Sequence, residues 1–161
     1  YQTFGIWETG RGTGSGTAGA VSVGAATAGS SIPTSGSATY SGHFGGASSD
    51  SAGYDVITTG GATVVADFAN RSLAFSTTGS KYVSPLASTP SWTSKPSLNM
   101  AGTLTYSAAT NSFSGAVSDS FIGSGTATGK FYGPSAEEIG GVFSLTGAGT
   151  LVHAGGFGAK K

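Results

Sequence analysis

Large aromatic residues and glycines alternate on the same face of short period-two segments, and this constrains the fold more than anything else in the chain. Ala38, Tyr40, Gly42 and Phe44 share one side of the stretch beginning at Ser37, while Thr39, Ser41 and His43 share the other. Ala127, Gly129 and Phe131 repeat the pattern, as do Ile139, Gly141, Phe143 and Leu145. Period-two alternation is the mark of a half-buried strand. A glycine inside a strand is unfavourable by about 0.5–1 kcal/mol relative to alanine, so repeated strand glycines point to tight curvature or a crowded interior. A small closed barrel meets both conditions, because side chains of mixed size must fill its inside.

The expectation is therefore an all-β chain: a small antiparallel up-and-down β-barrel of about eight main strands, with a filled interior and an additional N-terminal strand region. Residues 1–161 read as one domain. A two-sheet sandwich is the competing architecture. The alternating segments are 3–8, 20–24, 37–44, 62–68, 72–77, 98–106, 112–117, 125–132, 139–145 and 151–159. Ala69–Asn70 reads as the turn of a hairpin, with Asp67 and Arg71 paired across it. Residues 9–19 and 46–53 read as loops. Residues 78–97 contain Pro85, Pro90 and Pro96 and read as a long connection. Trp7 falls in a strand and is expected in the core. Trp92 is expected to plug a barrel mouth or to meet a partner.

Composition narrows the function. Only 9% of the 161 residues are charged, and seven basic residues balance seven acidic ones. The basic residues are scattered, apart from Lys160 and Lys161, so the stripe that a nucleic acid requires is absent. No apolar run is long enough for a transmembrane helix. There is no cysteine to form a disulfide or carry a lipid.

No catalytic constellation emerges, and no cofactor is assigned. Glu137 and Glu138 are adjacent, and neighbouring carboxylates on a strand point apart. His43 and His153 are the only imidazoles, and they are weak haem candidates. Asp50, Asp55 and Asp119 do not space as a calcium loop. Tyr54, Tyr82 and Trp92 lie in predicted loops. Aromatic residues there bury large areas at low entropic cost, which makes them the partner-binding candidates.

Residues 129–143, Gly-Lys-Phe-Tyr-Gly-Pro-Ser-Ala-Glu-Glu-Ile-Gly-Gly-Val-Phe, resemble the barrel signature of the transferrin-binding protein B family. The flanks agree: Phe4–Trp7, Pro33–Gly42, Asp67-Phe68 with Asn70-Arg71, and Gly155–Lys161. The resemblance implies an eight-stranded barrel at the outer-membrane surface of a Gram-negative bacterium, or secreted from it. It also implies binding of a host protein or haem. Members commonly carry a handle domain and a lipidated cysteine, and this sequence shows neither. Within the signature, Gly133, Pro134, Glu137, Glu138, Gly140 and Gly141 read as a structural hairpin, with a turn entering a single helical turn. Two functions follow as expectations: a non-catalytic surface or secreted module that binds a protein or another surface ligand, or a structural surface protein that self-assembles into a coat or filament.

Overall fold

The computed structural model describes residues 1–10, 16–49, 55–149 and 151–161. Among the described residues eleven strands follow in order: β1 (Gln2–Thr9), β2 (Thr17–Gly24), β3 (Ser37–Ser49), β4 (Asp55–Asp67), β5 (Ser72–Val83), β6 (Thr93–Ser94), β7 (Ala101–Tyr106), β8 (Phe113–Ser118), β9 (Ser124–Tyr132), β10 (Glu138–Thr146) and β11 (Val152–Lys160). β3, β4, β5, β7, β8, β9, β10 and β11 pair in chain order, all antiparallel, and β11 returns to β3 to close the barrel. β6 is a two-residue addition to β5. The up-and-down barrel expected from the alternation is the fold.

The interior is solid. Tyr40, Phe44, Phe75, Phe113, Phe131 and Phe157 are almost fully closed off from water. Phe131 sits at the centre of one ring cluster, with Tyr106 at 5.4 Å, Phe113 at 5.8 Å, Phe68 at 6.1 Å and Tyr40 at 6.3 Å. Phe75 and Phe157 pack with their rings tilted, 4.9 Å apart. The inward glycines make room for these rings. A Cβ on Gly129 would lie 2.5 Å from Phe113, and one on Gly155 would lie 2.6 Å from Phe143. The register of each strand is thus fixed by a ring on one strand facing a glycine on its neighbour.

β1 and β2 form a separate hairpin that crosses the outside of the barrel. The outward glycines of β11 and β3 receive it: Phe4 lies against Gly156, Gly158 and Gly45. The first strand therefore lies near the last without closing the sheet, a task that falls to β3. Trp7 is on the outer face of the hairpin and is half exposed, not in the core. It covers Gly19 across the strand pair, and the position of the hairpin outside the barrel accounts for its exposure.

Other local expectations also change. β1 reaches Thr9 and β2 begins at Thr17, so strand replaces part of the expected loop. β3 continues through residues 45–49, because β11 and β4 supply ladder partners on both sides. β5 runs to Val83 through a bulge opposite Thr59 and Gly61, where Gly79 adopts φ +61°. Leu98 belongs to a short 3-10 turn, Pro96–Leu98, ahead of β7. In the β4–β5 turn the left-handed residue is Arg71 (φ 51°), not Asn70. Asp67 binds Asn70 instead of Arg71, accepting from its backbone N–H at 3.0 Å and its side-chain amide at 2.7 Å.

Candidate functional site

The two ends of the barrel differ in chemistry. At one end the signature hairpin seals the interior. Tyr40 donates its hydroxyl proton to the Ala136 carbonyl at 2.7 Å, and Ala136 is buried. Burial first, then Tyr106 and Glu137, push the Tyr40 phenol far above its ordinary value. Gly133 has φ +87°, and its carbonyl accepts from the Thr27 hydroxyl at 2.6 Å. Glu137 accepts from the Ser135 N–H at 2.8 Å, and Glu138 from the Gln2 N–H at 2.9 Å. Residues 133–136 form a turn without helix, because Ala136 itself is left-handed at φ 56°. Gly140, in β10, lies beneath Gln2 and Ser22 of the hairpin, and Gly141 faces the interior near Phe157. The six signature residues all sit in this seal or its flanking strand.

At the opposite end the lining turns polar. The β5 bulge reverses the strand's parity, so that Ser80 and Tyr82 follow Leu73, Phe75 and Thr77 inward. Residues 93–100 lace this end of β5: the Lys95 N–H donates to the Ser80 carbonyl at 2.8 Å, and the Asn99 side chain accepts from the Ser80 N–H at 3.1 Å. Thr58, Ser80 and His153 are fully buried here. His153 Nε2 lies 2.9 Å from Thr58 Oγ1, and the ring is edge-on to Phe143 at 5.0 Å.

Asp119 organises the β8–β9 loop. Its Oδ1 accepts three backbone N–H bonds, from Phe121 at 2.9 Å, Ile122 at 2.6 Å and Gly123 at 3.2 Å. Its Oδ2 is 3.8 Å from His153 Nδ1, beyond hydrogen-bond length, and neither atom has a hydrogen-bond partner among the described residues. Burial pushes the carboxyl up, but the imidazole nearby and the three backbone donors outweigh it and hold Asp119 below its ordinary value. Asp, His and Thr thus meet in the order of an acid–base–hydroxyl array. They do so inside a closed interior, where no substrate reaches Thr58.

The surface above this cluster is a small cavity of about 200 Å³ lined by Ser48, Ser49, Val56, Tyr82, Lys95, Leu98 and Phe121. Lys95 Nζ stands 4.0 Å above the Phe121 ring. Beside it, Lys81 Nζ lies 5.3 Å from the Trp92 ring, which is 49% exposed. Trp92 therefore does not plug the mouth. Tyr82 is half-buried in the cavity wall, and Tyr54 lies outside the described residues. Two of the three aromatic candidates are thereby brought to one end, with two lysines and Phe121.

The two histidines are not brought together. His43 is exposed on the outer face of β3, while His153 is enclosed on the inner face of β11. Asp119, Lys95 and Phe121 were not singled out from the sequence as parts of a site. For Asp119 a signal exists: an aspartate between two predicted strands can accept from the backbone N–H two residues on and so build a turn. For Lys95 and Phe121 no comparable signal exists.

The fold is thus that of a small barrel with a solid core, one sealed end and one aromatic, basic, loop-built end, which leaves the rim and the outer wall, not a lumen, open at the surface. Residues 32–161 match the family model described as the C-lobe and N-lobe β-barrels of Tf-binding protein B, and the chain belongs to this family. Among solved structures, a transferrin-binding protein B variant from Haemophilus parasuis superimposes with a TM-score of 0.69 at 20% identity, covering 99% of this chain and 33% of that one. The isotype 1 protein from serogroup B Neisseria meningitidis gives 0.64 at 19% identity, covering 99% and 32%. A surface lipoprotein gives 0.58 at 16% identity, covering 90% and 67%. The chain thus spans about a third of the length of the first two. No curated protein matches.

Proposed function

We propose that this chain is a non-catalytic binding module displayed on, or released from, the surface of a Gram-negative bacterium, and that it contacts a host protein through the loop end of its barrel. The observation that carries this reading is the clustering of Trp92, Tyr82, Phe121, Lys81 and Lys95 around one mouth of an otherwise filled barrel. Aromatic rings dominate protein interfaces, and the two lysines add a positive charge that steers an acidic partner onto the rim. The family supports surface display, since similar structures are those of transferrin-binding protein B and of a surface lipoprotein. A protein partner suits the geometry better than haem, because the two histidines face opposite sides of the wall. In this reading residues 1–161 act as one unit, with the β1–β2 hairpin packed on the barrel. Affinity capture from host serum on the immobilised chain, with Trp92→Ala in parallel, tests it. Wild type should retain a specific protein that the variant releases. Equal capture by both, or capture by neither, would refute the reading.

A further inference from the structure

A second groove lies away from that mouth. It holds about 520 Å³ between β2 and the outer surface of β9 and β10, and continues into a further 250 Å³ along the same strand. Ala20, Ser22, Thr126, Thr128, Lys130 and Val142 line the two sections.

The wall formed by β2 is a free sheet edge. The Ala25 N–H donates to the Tyr1 carbonyl at 2.9 Å, which sets the phase of the β1–β2 ladder. Odd-numbered residues of β2 then exchange bonds with β1, and Ala18, Ala20, Ser22 and Gly24 direct their N–H and C=O groups away from it. On β1 the corresponding outward group of Gln2 is taken by Glu138. On β2 no backbone partner occupies these positions among the described residues. Natural edges are usually guarded by charge, proline or a bulge. β2 reads Thr-Ala-Gly-Ala-Val-Ser-Val-Gly and has none of these. Where the chain leaves β2, residues 25–27 already pair with 131–133 through the Thr27 N–H to the Phe131 carbonyl and the Gly133 N–H to the Ala25 carbonyl. The groove prolongs a line along which backbone pairing is in place.

We infer that the β2 edge binds an extended peptide segment of another protein as a third strand of the hairpin sheet. Donors and acceptors at every second residue are complementary to an extended backbone. From Ala18 to Gly24 the edge is about 20 Å long, room for about six residues. Apart from Lys130 and Tyr132 the floor is made of small side chains, so residues of the incoming strand that face it are small or apolar. Lys130 is the one charged side chain among those lining the groove, which selects a carboxylate on the peptide. A second copy of this chain does not fit. Antiparallel pairing of β2 with β2 requires a two-fold axis perpendicular to the sheet, which sets both barrels on the same side. β9 already extends beneath the edge, so the barrels would collide. This site is independent of the loop end.

Selection from a random linear heptapeptide library on the full chain tests the inference, with Ala20→Pro as the comparison. The Ala20 N–H points to the open edge, so proline there removes a docking donor and leaves the β1–β2 ladder whole. Unchanged circular dichroism and melting verify the fold. The selected peptides should alternate in hydrophobicity, carry an acidic residue and bind Ala20→Pro at least about tenfold more weakly. Lys130→Glu should select against that acidic residue. Peptides that bind Ala20→Pro as tightly as wild type, or no enriched peptide at all, would overturn the inference. So would a wild-type dimer that Ala20→Pro dissolves, since the occupant would then be a second copy.

Discussion

Asp119 Oδ2 and His153 Nδ1 face each other at 3.8 Å, with both side chains wholly shielded from solvent. They bring the β8–β9 loop against the last strand of the barrel, although the two atoms are too far apart for a hydrogen bond. The other ends of these side chains are well bonded, Asp119 to three backbone N–H groups and His153 to Thr58.

Acid should loosen this end first. The Asp119 carboxyl is held below its ordinary value in the folded chain, so the unfolded chain binds the proton more readily. Its contribution is therefore complete above the ordinary aspartate range of about 3.9 and is lost as pH falls through the lower folded value. Asp119→Asn should lower the melting temperature at pH 7 by about 4 °C, from a loss of about 1.5 kcal/mol. The difference from wild type should shrink towards zero as both are melted at increasingly acidic pH. A gap that stays constant would mean that the charge is immaterial.

Tyr40→Phe should weaken the sealed end without altering its packing. The ring stays beside Phe131, but the Ala136 carbonyl loses its donor in a dry setting. A loss of about 1–2 kcal/mol in urea unfolding is expected, with no change in the slope against denaturant.

Gly155→Ala should be more damaging than its single methyl suggests. The added Cβ would come within 2.6 Å of Phe143 and 2.7 Å of the Gly46 backbone, and the strand cannot retreat without breaking two ladders. A destabilisation of about 1–3 kcal/mol is expected from overpacking. Gly149→Ala is the comparison: nothing lies within 4 Å of its Cβ, so packing does not contribute there, and only the strain of φ +66° remains. Stability measured by denaturant unfolding ranks the two.

The barrel was legible because its physics is written in adjacent positions. Tyr40 with Gly42, Phe131 with Gly129, and Phe143 with Gly141 disclose both the strand period and the crowding inside. Trp7 misled because alternation shows that a strand has two faces without showing which one meets the core. The hairpin turns its Trp7 face outward and its Phe4 face onto Gly45, Gly156 and Gly158, all remote in sequence. Residues 78–83 were hidden by a bulge that breaks the period at Gly79. The site was legible only in part. Tyr82 and Trp92 stand out as aromatics in a proline-rich stretch, but Lys95, Phe121 and Asp119 reach the same mouth through closure of the sheet, a long-range event that leaves no local pattern.

Hydrogen exchange on the complex with the captured host protein tests the central claim most directly, because it reports which end of the barrel is covered. Slower exchange is expected at Tyr82, at residues 92–97 and at residues 119–123, with the signature turn at 133–136 unchanged. Protection confined to the signature turn and residues 33–36, with the mouth exchanging as in the free chain, would contradict the account.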